Sequence, residues 1–257
     1  MRFKKSGIKE SSKPLVGLVS AVSIEGCILL KYLKNIKANL PRNLNLYKGK
    51  IQNKAVVYII SGIGKTNASI GTILLIEKFS PSIIINLGVA GAYPSSGLRI
   101  GDIVIAEKEI YGDEGIYLQN GFHTFEETGI PLLIKGKKKF FNEFPLHKRL
   151  IGKAVNILRT TFHDLPISVR SGPFLTTSAS TGTTGKAEEL EKRFNAICEN
   201  MEGAAVAHVC NIYGIPMVEI RGISNLVKDR NKKEWNIKLA SENCQKAVIE
   251  FLKNYNL

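Results

Sequence analysis

The sequence predicts an α/β fold in which helices cover a largely parallel sheet. Short runs rich in β-branched residues, bounded by Gly, Ser or Pro, alternate with segments of helical periodicity along most of the chain. This alternation is typical of strands that are connected through helices. The chain has 257 residues, of which 44% are hydrophobic, and such a chain can bury a sizeable core without disulfides or metals. We expect residues 14–257 to form a single domain.

The expected strands are short, apolar and bounded by turn residues. In chain order they are Leu15–Ser20, Ala55–Ile60, Ser82–Leu87, Asp102–Ala106, Ile167–Arg170, Ala196–Cys198 and Ile215–Arg221. The expected helices have apolar residues at helical spacing, and they are Ile24–Ile36, Lys65–Phe79, Leu146–Thr160, Gly185–Phe194, Glu202–Tyr213 and Ile237–Asn254. The segment 111–143 is the least regular part and is rich in glycine. Loops of that length often serve as lids or binding loops.

The formal net charge is +14, from 36 basic and 22 acidic residues. Such a field permits contacts with nucleic acid or a membrane surface. However, the lysines are scattered, and the densest run, 135–139, has no repeated aromatic platform beside it. We interpret the charge as a solvated surface and predict no nucleic-acid partner. No segment approaches the about 18 apolar residues that indicate a membrane span, so no membrane partner is predicted either.

The N-terminus imitates a secretory signal, because basic residues 2–13 precede the apolar run 14–22. That run is short, and a strand followed by a turn accounts for all of it, with Glu25 directly after. We therefore predict a flexible basic leader at residues 1–13 and a cytoplasmic protein. The four cysteines have no C-x-x-C spacing and the four histidines no paired spacing, so the sequence predicts no metal and no cofactor.

A glycine-rich turn, Ser61-Gly62-Ile63-Gly64-Lys65-Thr66, follows an expected strand. A phosphate-binding loop would need a further Gly at position 59, where this chain has Ile59. We interpret the glycines as a tight strand-to-helix turn. A dinucleotide fingerprint is absent after the first strand, and Leu226 stands where a hydrolase nucleophile elbow needs Gly.

Polar side chains stand where expected strands end and where one helix begins. Glu25 follows the first strand, Glu202 begins a helix, and Arg221, Ser224 and Asn225 close another strand. Each has an ordinary alternative explanation: a first-turn acid for either glutamate, a structural ion pair for the arginine, and a turn cap for the asparagine. Together they predict a site for a polar, ring-shaped ligand outside the carboxyl ends of the strands.

The single tryptophan, Trp235, follows these residues in the sequence. It fits a packing role, and it also fits a ring that closes the pocket.

Several segments, in the same order, resemble the nucleoside phosphorylase/nucleosidase superfamily over about residues 14–255. They are Ile59–Ala68, Ile84–Gly91, Gly101–Glu107, Met201–Ala205 and Ile220–Asn225. Within the superfamily the chain resembles the methylthioadenosine/adenosylhomocysteine nucleosidases, and within that branch the futalosine hydrolases of menaquinone biosynthesis. The resemblance implies a three-layer α/β/α fold around a mixed, twisted sheet. It also implies a small-molecule purine nucleoside as ligand and a homodimer or larger homo-oligomer.

The resemblance also implies roles for individual residues. Glu25 would activate water and Arg221 would help to hold that water. Glu202 would bind the ribose hydroxyls, with Met201 against the sugar. Phe174 would be the aromatic that stacks on the base, and Trp235 would lie beside the 5′ group. Val89 stands where relatives carry a serine of the site.

Position 225 departs from the pattern of enzymes that act on 6-aminopurines, which carry Asp there. The amide of Asn225 offers donor and acceptor groups, so it favours a 6-oxopurine, with Ser224 orienting the amide. The implied reaction is hydrolysis of futalosine to hypoxanthine and dehypoxanthine futalosine.

The closest alternative is a methylthioadenosine/adenosylhomocysteine or aminodeoxyfutalosine nucleosidase. A phosphorolytic enzyme would need phosphate ligands that the sequence does not show. A ligand-binding protein without catalysis is the alternative from another class.

Overall fold

The computed structural model describes residues 14–36 and 44–256, and the predicted basic leader lies outside these residues. Strands are numbered in chain order: β1 (Leu15–Ser20), β2 (Leu33–Asn35), β3 (Asn45–Ile51), β4 (Lys54–Ile60), β5 (Ile83–Ala92), β6 (Ile103–Tyr111), β7 (Gly115–Leu118), β8 (Gly121–Thr124), β9 (Leu133–Lys135), β10 (Lys138–Phe140), β11 (Glu143–Pro145), β12 (Val169–Thr176), β13 (Cys198–Asn200) and β14 (Met217–Leu226). The helices are α1 (Lys65–Phe79), α2 (Phe125–Thr128), α3 (Lys148–Thr161), α4 (Thr184–Phe194), α5 (Gly203–Tyr213) and α6 (Ile237–Asn254).

The largest sheet of the described residues has ten strands, in the order β11-β6-β12-β13-β5-β1-β4-β3-β2, and β14 pairs with both β5 and β6. The pairs β6–β12, β12–β13, β13–β5, β5–β14 and β14–β6 therefore close into a ring of strands. Parallel pairs join β1 to β4 and β5, whereas β3 pairs antiparallel with β4. The sheet is thus mixed.

Helices cover both faces of this sheet. The helices α1 and α5 pack on each other, and α1 also packs on β1 and β4. The helices α3 and α6 form the second pair, with α6 against β5 and β14. This arrangement confirms the α/β/α fold with a central mixed sheet that the sequence and its resemblance predict. None of the helices within the described residues is long and apolar enough to cross a membrane.

The predicted helix Ile24–Ile36 is wrong. The segment forms two short 3-10 helices, Ser23–Gly26 and Leu29–Tyr32, followed by the strand β2. Tertiary contacts compete with helix formation here. The side chain of Gln245 on α6 accepts hydrogen bonds from the backbone N–H groups of Ile28 and Leu29, at 2.6 and 3.4 Å.

The segment 111–143 has more structure than the sequence indicates. It contains the antiparallel hairpins β7–β8 and β9–β10 and the short helix α2, and it leads into β11 on the edge of the main sheet. The expectation of an irregular loop is therefore wrong for most of it. The strand pattern is weak because these strands have only three or four residues each.

The tight turn between β4 and α1 is confirmed. Gly62 and Gly64 have φ angles of +99° and +94°, which residues with a Cβ rarely adopt. The turn places the N–H of Gly64 at the start of α1, facing the carboxyl ends of the neighbouring strands.

Gly222 is expected to be essential for packing α6 on β14. A Cβ at this position would overlap the backbone oxygen of Ala240. Gly222→Ala should therefore lower the free energy of unfolding by about 2 kcal/mol or more, as overpacked cores do. Urea denaturation measures this change as a shift of the unfolding midpoint, provided that the variant and the unmodified protein have the same m value.

The matched control is Gly152→Ala, on the exposed side of α3, where a Cβ meets nothing within 4 Å. Alanine should raise the free energy of unfolding there by about 0.5–1 kcal/mol, because it favours the helix. Equal stability of the two variants would contradict the packing argument.

Candidate active site

A pocket of about 330 Å³ opens at the carboxyl ends of β1, β5 and β14. Its walls come from the turn after β1, the end of β5, the end of β14, the start of α5 and the loop before α4. The residues that contribute polar groups or rings to it include Glu25, Thr181, Glu199, Met201, Glu202, Ser224, Asn225, Arg230 and Trp235. The structure therefore brings together most of the predicted site residues.

Glu25 lies in the 3-10 turn after β1 and is 3% exposed. Its Oε2 accepts hydrogen bonds from the backbone N–H groups of Ala21 and Val22, at 3.0 and 3.1 Å, and its Oε1 accepts one from Val89, at 2.9 Å. Burial raises the pKa of Glu25, and nearby Arg221 opposes this rise. The result is a rigidly held carboxylate that is more basic than an exposed glutamate.

Arg221 projects from β14 and is 2% exposed. Its Nε donates to Glu219 Oε1 at 2.8 Å, and its Nη1 donates to Glu202 Oε2 at 3.4 Å and to the carbonyl oxygen of Val89 at 3.2 Å. Burial opposes the charge, but Glu219, Glu202 and Glu25 outweigh it and raise the pKa of Arg221. The guanidinium therefore stays charged inside the protein.

Glu25 and Arg221 approach each other across Gly88 on β5. A Cβ at Gly88 would overlap Glu25 Oε1 and stand 2.8 Å from Arg221 Nη1. Only glycine leaves room for the carboxylate and the guanidinium at this position. A water molecule between these two groups would face one acceptor and one donor, which is the arrangement needed to hold and deprotonate it.

Glu202 is the N-terminal cap residue of α5 and is 6% exposed. Its Oε1 accepts a hydrogen bond from the N–H of Gly64 at 3.0 Å. The glycine turn thus holds a carboxylate of the site, a role that the sequence did not reveal. Asn200 Oδ1 accepts from the N–H groups of Glu202 and Gly203, at 2.9 and 2.7 Å, and so orients this helix start.

Asn225 follows a bulge in β14, where the pairing with β5 shifts between Ile223 and Asn225. The Oδ1 of Asn225 is 2.7 Å from Ser224 Oγ, which donates to it, and Nδ2 donates to the carbonyl oxygen of Leu226 at 3.1 Å. That carbonyl can only accept, so it determines which amide atom is the nitrogen. Asn225 lines the pocket, and these two hydrogen bonds do not use the second N–H of its amide.

Two predicted site residues do not line the pocket. Arg221 is buried beside Glu202, and the other is Phe174. It is 0% exposed within β12 and belongs to the hydrophobic core, so it cannot stack on a bound ring. The strand β12 lies between β6 and β13 in the sheet, and α3 and α5 pack on it, so this side chain is enclosed. Met201, Trp235 and Val89 do line the pocket. Val89 contributes its backbone, because its N–H binds Glu25 and its carbonyl binds Arg221.

Two further pocket residues carry charge. Glu199 accepts hydrogen bonds from the N–H of Thr181 at 2.9 Å and from the hydroxyl of Tyr93 at 3.2 Å, and burial raises its pKa. The guanidinium of Arg230 stacks over the ring of Trp235 at 4.7 Å. Glu199 stands two residues before Met201 in the sequence, but nothing in the pattern distinguished it from a solvated acid.

Metal binding has no geometric basis in residues 14–36 and 44–256, where no three His, Cys, Asp or Glu side chains are arranged to hold an ion. The chemistry of the pocket rests on a basic carboxylate, a buried guanidinium, a second carboxylate and an amide donor. Such groups can deliver water to an electron-poor carbon and stabilise charge on both sides of a breaking bond.

Comparisons with known proteins agree with this chemistry. A 5′-methylthioadenosine/S-adenosylhomocysteine nucleosidase from Halalkalibacterium halodurans is 31% identical, over 91% of this chain and 96% of its own length. The nucleosidase of the same name from Neisseria meningitidis, in complex with methylthio-immucillin-A, superposes with a TM-score of 0.79 at 26% identity and covers 94% of this chain and 99% of its own. Futalosine hydrolase of Helicobacter pylori shares the fold, with a TM-score of 0.78 at 20% identity over 94% and 98% of the two chains.

The fold, the pocket and these relatives define a nucleosidase, an enzyme that hydrolyses the N-ribosyl bond of nucleosides. The chain belongs to the phosphorylase superfamily, whose family model matches residues 16–253.

Gly88→Ala is expected to displace Glu25 and Arg221, which both approach this glycine. A displacement of about 1 Å can lower catalysis about 100-fold, so we expect a loss of that size in kcat/KM for nucleoside hydrolysis. Gly185→Ala on α4, where a Cβ meets nothing within 4 Å, should retain the activity of the unmodified protein. An active Gly88→Ala enzyme would show that this close approach is dispensable.

Proposed function

We propose that the protein hydrolyses futalosine, a 6-oxopurine nucleoside, to hypoxanthine and dehypoxanthine futalosine. The observation that carries this proposal is the placement of Asn225 on the pocket wall, with its Oδ1 held by Ser224 and one N–H bound to Leu226, so that its second N–H is the donor proposed for the base. A 6-oxopurine presents acceptors at both N7 and O6, whereas a 6-aminopurine presents a donor in place of O6. A donor that reaches O6 as well as N7 therefore favours the oxo base.

In the proposed mechanism Glu25 removes a proton from a water molecule that attacks the anomeric carbon. General-base assistance of this kind contributes about 100- to 10,000-fold. Arg221 holds the same water and the carboxylate of Glu202, which binds the ribose hydroxyls. Positive charge develops on the sugar as the bond breaks, and these carboxylates stabilise it.

The departing base carries the negative charge of the broken bond. Asn225 stabilises that charge through its N–H, and a proton from solvent completes the base. Ser224 contributes by holding Oδ1 of the amide.

The 5′ group of futalosine carries a carboxylate, and Arg230 is the proposed partner for it. Its guanidinium stacks on Trp235 and donates to Ser180 Oγ at 3.2 Å, all on the pocket wall. Lys228 is less suited, because it already pairs with Glu234 at 2.6 Å. A stacked guanidinium can bind a carboxylate with two parallel hydrogen bonds.

The second candidate is a methylthioadenosine/adenosylhomocysteine or aminodeoxyfutalosine nucleosidase. The names of the relatives favour it, since the two quoted nucleosidases of that kind match almost the whole chain. Position 225 opposes it, because an asparagine cannot give a proton to N7 of adenine. The two candidates differ in the base that is released.

The deciding experiment incubates the purified protein, without phosphate, with futalosine, aminodeoxyfutalosine, inosine and methylthioadenosine. Chromatography quantifies the released base. Hypoxanthine from futalosine, with little release from inosine, supports the proposal. Adenine as the main product establishes the second candidate. Release that requires added phosphate identifies a phosphorolytic enzyme, and no release from any of the four under either condition contradicts both candidates.

Asn225→Asp should shift the preference of the enzyme toward 6-aminopurine nucleosides. The aspartic acid can donate to N7, but its carboxylate repels O6 of an oxopurine. The ratio of kcat/KM values should change by about tenfold or more, since an unpaired buried polar group costs about 1–3 kcal/mol.

The control is Asn254→Asp, an exposed position near the end of α6, which should leave the ratio unchanged. An unchanged ratio in Asn225→Asp would show that residue 225 does not determine which base the enzyme prefers.

Arg230→Ala should raise KM for futalosine by about tenfold, the effect of losing one hydrogen bond to a charged group. The kcat/KM for inosine, which has no carboxylate, should stay unchanged. Lys232→Ala removes an exposed positive charge from the same loop and should alter neither value. Equal losses for both substrates in Arg230→Ala would indicate a structural role for this arginine.

Assembly as a homodimer or larger homo-oligomer and the cytoplasmic location stay predictions from the sequence. Light scattering on the purified protein measures the first.

A further inference from the structure

The closed ring of strands encloses polar side chains that no step of the proposed mechanism uses. Each of its strands contributes one of them: Asn86 on β5, Glu109 on β6, Thr176 on β12, Asn200 on β13 and Glu219 on β14. All are at most 5% exposed. A buried polar group without partners destabilises a fold, so the hydrogen bonds among these five residues indicate what the cluster does.

Glu109 and Glu219 are both 0% exposed, and their carboxyl groups are neighbours, because a Cβ at Gly203 would overlap Glu109 Oε1 and stand 2.6 Å from Glu219 Oε1. Glu219 Oε1 accepts from Asn86 Nδ2 at 3.0 Å and from Arg221 Nε at 2.8 Å. Glu219 Oε2 receives no donor from any other group in the described part of the chain. Two carboxylates in contact cannot both be ionised at low cost. A proton held between the two neighbouring carboxyl groups would relieve their repulsion.

Glu109 is also connected to the second half of the site. Its Oε1 accepts from Asn200 Nδ2 at 2.8 Å, and its Oε2 is 2.6 Å from Thr176 Oγ1. Asn200 in turn orients the N–H of Glu202. One carboxyl group therefore reaches Arg221 through Glu219, and Glu202 through Asn200.

We propose that Glu109 is a positioning residue, a neutral carboxylic acid that shares one proton with Glu219 and thereby holds Arg221 and Glu202 in place. Its effect on catalysis rests on the proposed function, whereas the shared proton does not. Gly203 is required for this arrangement of the two glutamates, because a Cβ there would overlap Glu109 Oε1 and stand 2.6 Å from Glu219 Oε1.

The surroundings of Glu109 favour its neutral form. Burial raises its pKa most, and Glu219 raises it further, while the hydroxyl of Thr176 and the charge of Arg221 lower it. Burial raises the pKa of Cys198 on β13 and of Tyr111 on β6 as well. Neither of these groups adds a charge near neutral pH, so the protonation state of Glu109 depends on Arg221 and the neighbouring glutamates.

Glu109→Gln tests the proposal, because glutamine has nearly the same shape and cannot ionise. Its carbonyl can accept from Asn200, and its amide N–H groups can donate to Glu219 and to Thr176. Glu109→Ala removes these bonds, and Glu107→Gln, an exposed position on the same strand, is the matched control. Infrared spectroscopy detects a protonated carboxyl group directly, and urea unfolding from pH 5 to 9 measures proton uptake.

We expect the infrared signal of one protonated carboxyl group to disappear in Glu109→Gln and to remain in Glu107→Gln. A raised folded pKa means that the native state keeps a proton that the unfolded chain releases above about pH 4.3. The stability of the unmodified protein should then fall as pH rises through this range. Glu109→Gln has no such proton to release on unfolding, so its free energy of unfolding should fall less over this range, and the difference should correspond to one proton.

We also expect Glu109→Gln to keep kcat/KM within about threefold of the unmodified enzyme, and Glu109→Ala to lose about 100-fold, as a misplaced site does. An unchanged infrared signal, an unchanged pH dependence of unfolding, or equal activity losses in the Gln and Ala variants would overturn the proposal. If the unmodified protein hydrolyses no nucleoside, the proposed function fails, while the infrared and unfolding measurements still decide on the shared proton.

Discussion

A guanidinium that is 2% exposed must find its partners inside the protein, because an unpaired buried charge destabilises a fold by about 3–5 kcal/mol. Arg221 has Glu219 on one side, Glu202 on another and Glu25 within electrostatic reach. Glu219 lies on β14 beside Arg221, whereas the ion pair with Glu202 joins β14 to α5 and the charge of Arg221 also acts on Glu25 in the turn after β1. The catalytic geometry and the packing of these elements therefore depend on the same charge.

The closed ring of strands makes this concentration of charge possible. A flat sheet would expose one face of β14, whereas the pairing of β14 with both β5 and β6 encloses its polar side chains. Glycine supplies the remaining space, since a Cβ at Gly88 would overlap the carboxylate of Glu25 and one at Gly203 would overlap that of Glu109. So many buried charged groups can lie together only because the ring of strands is closed and because glycine stands at these two positions.

Backbone groups hold the carboxylates as much as side chains do. Three N–H groups bind Glu25, and the N–H of Gly64 binds Glu202. The turn before α1 resembles a phosphate-binding loop in composition, and its exposed N–H indeed binds an anion. That anion is a glutamate of the protein itself. The same backbone geometry can thus serve a ligand or a side chain, and the sequence around Gly64 does not distinguish the two uses.

The sequence by itself determined the α/β class and several strands that begin and end at turn residues, and it led us to expect Glu25, Glu202, Arg221 and Asn225 in one site. Periodicity and strand ends are local properties, and the chain order of these segments is enough to predict them. Only the tertiary structure showed that β14 closes a ring, that Glu109 lies against Glu219, and that the segment Ile24–Ile36 after β1 is not one continuous helix. Those features depend on contacts between residues far apart in sequence, which local patterns do not encode.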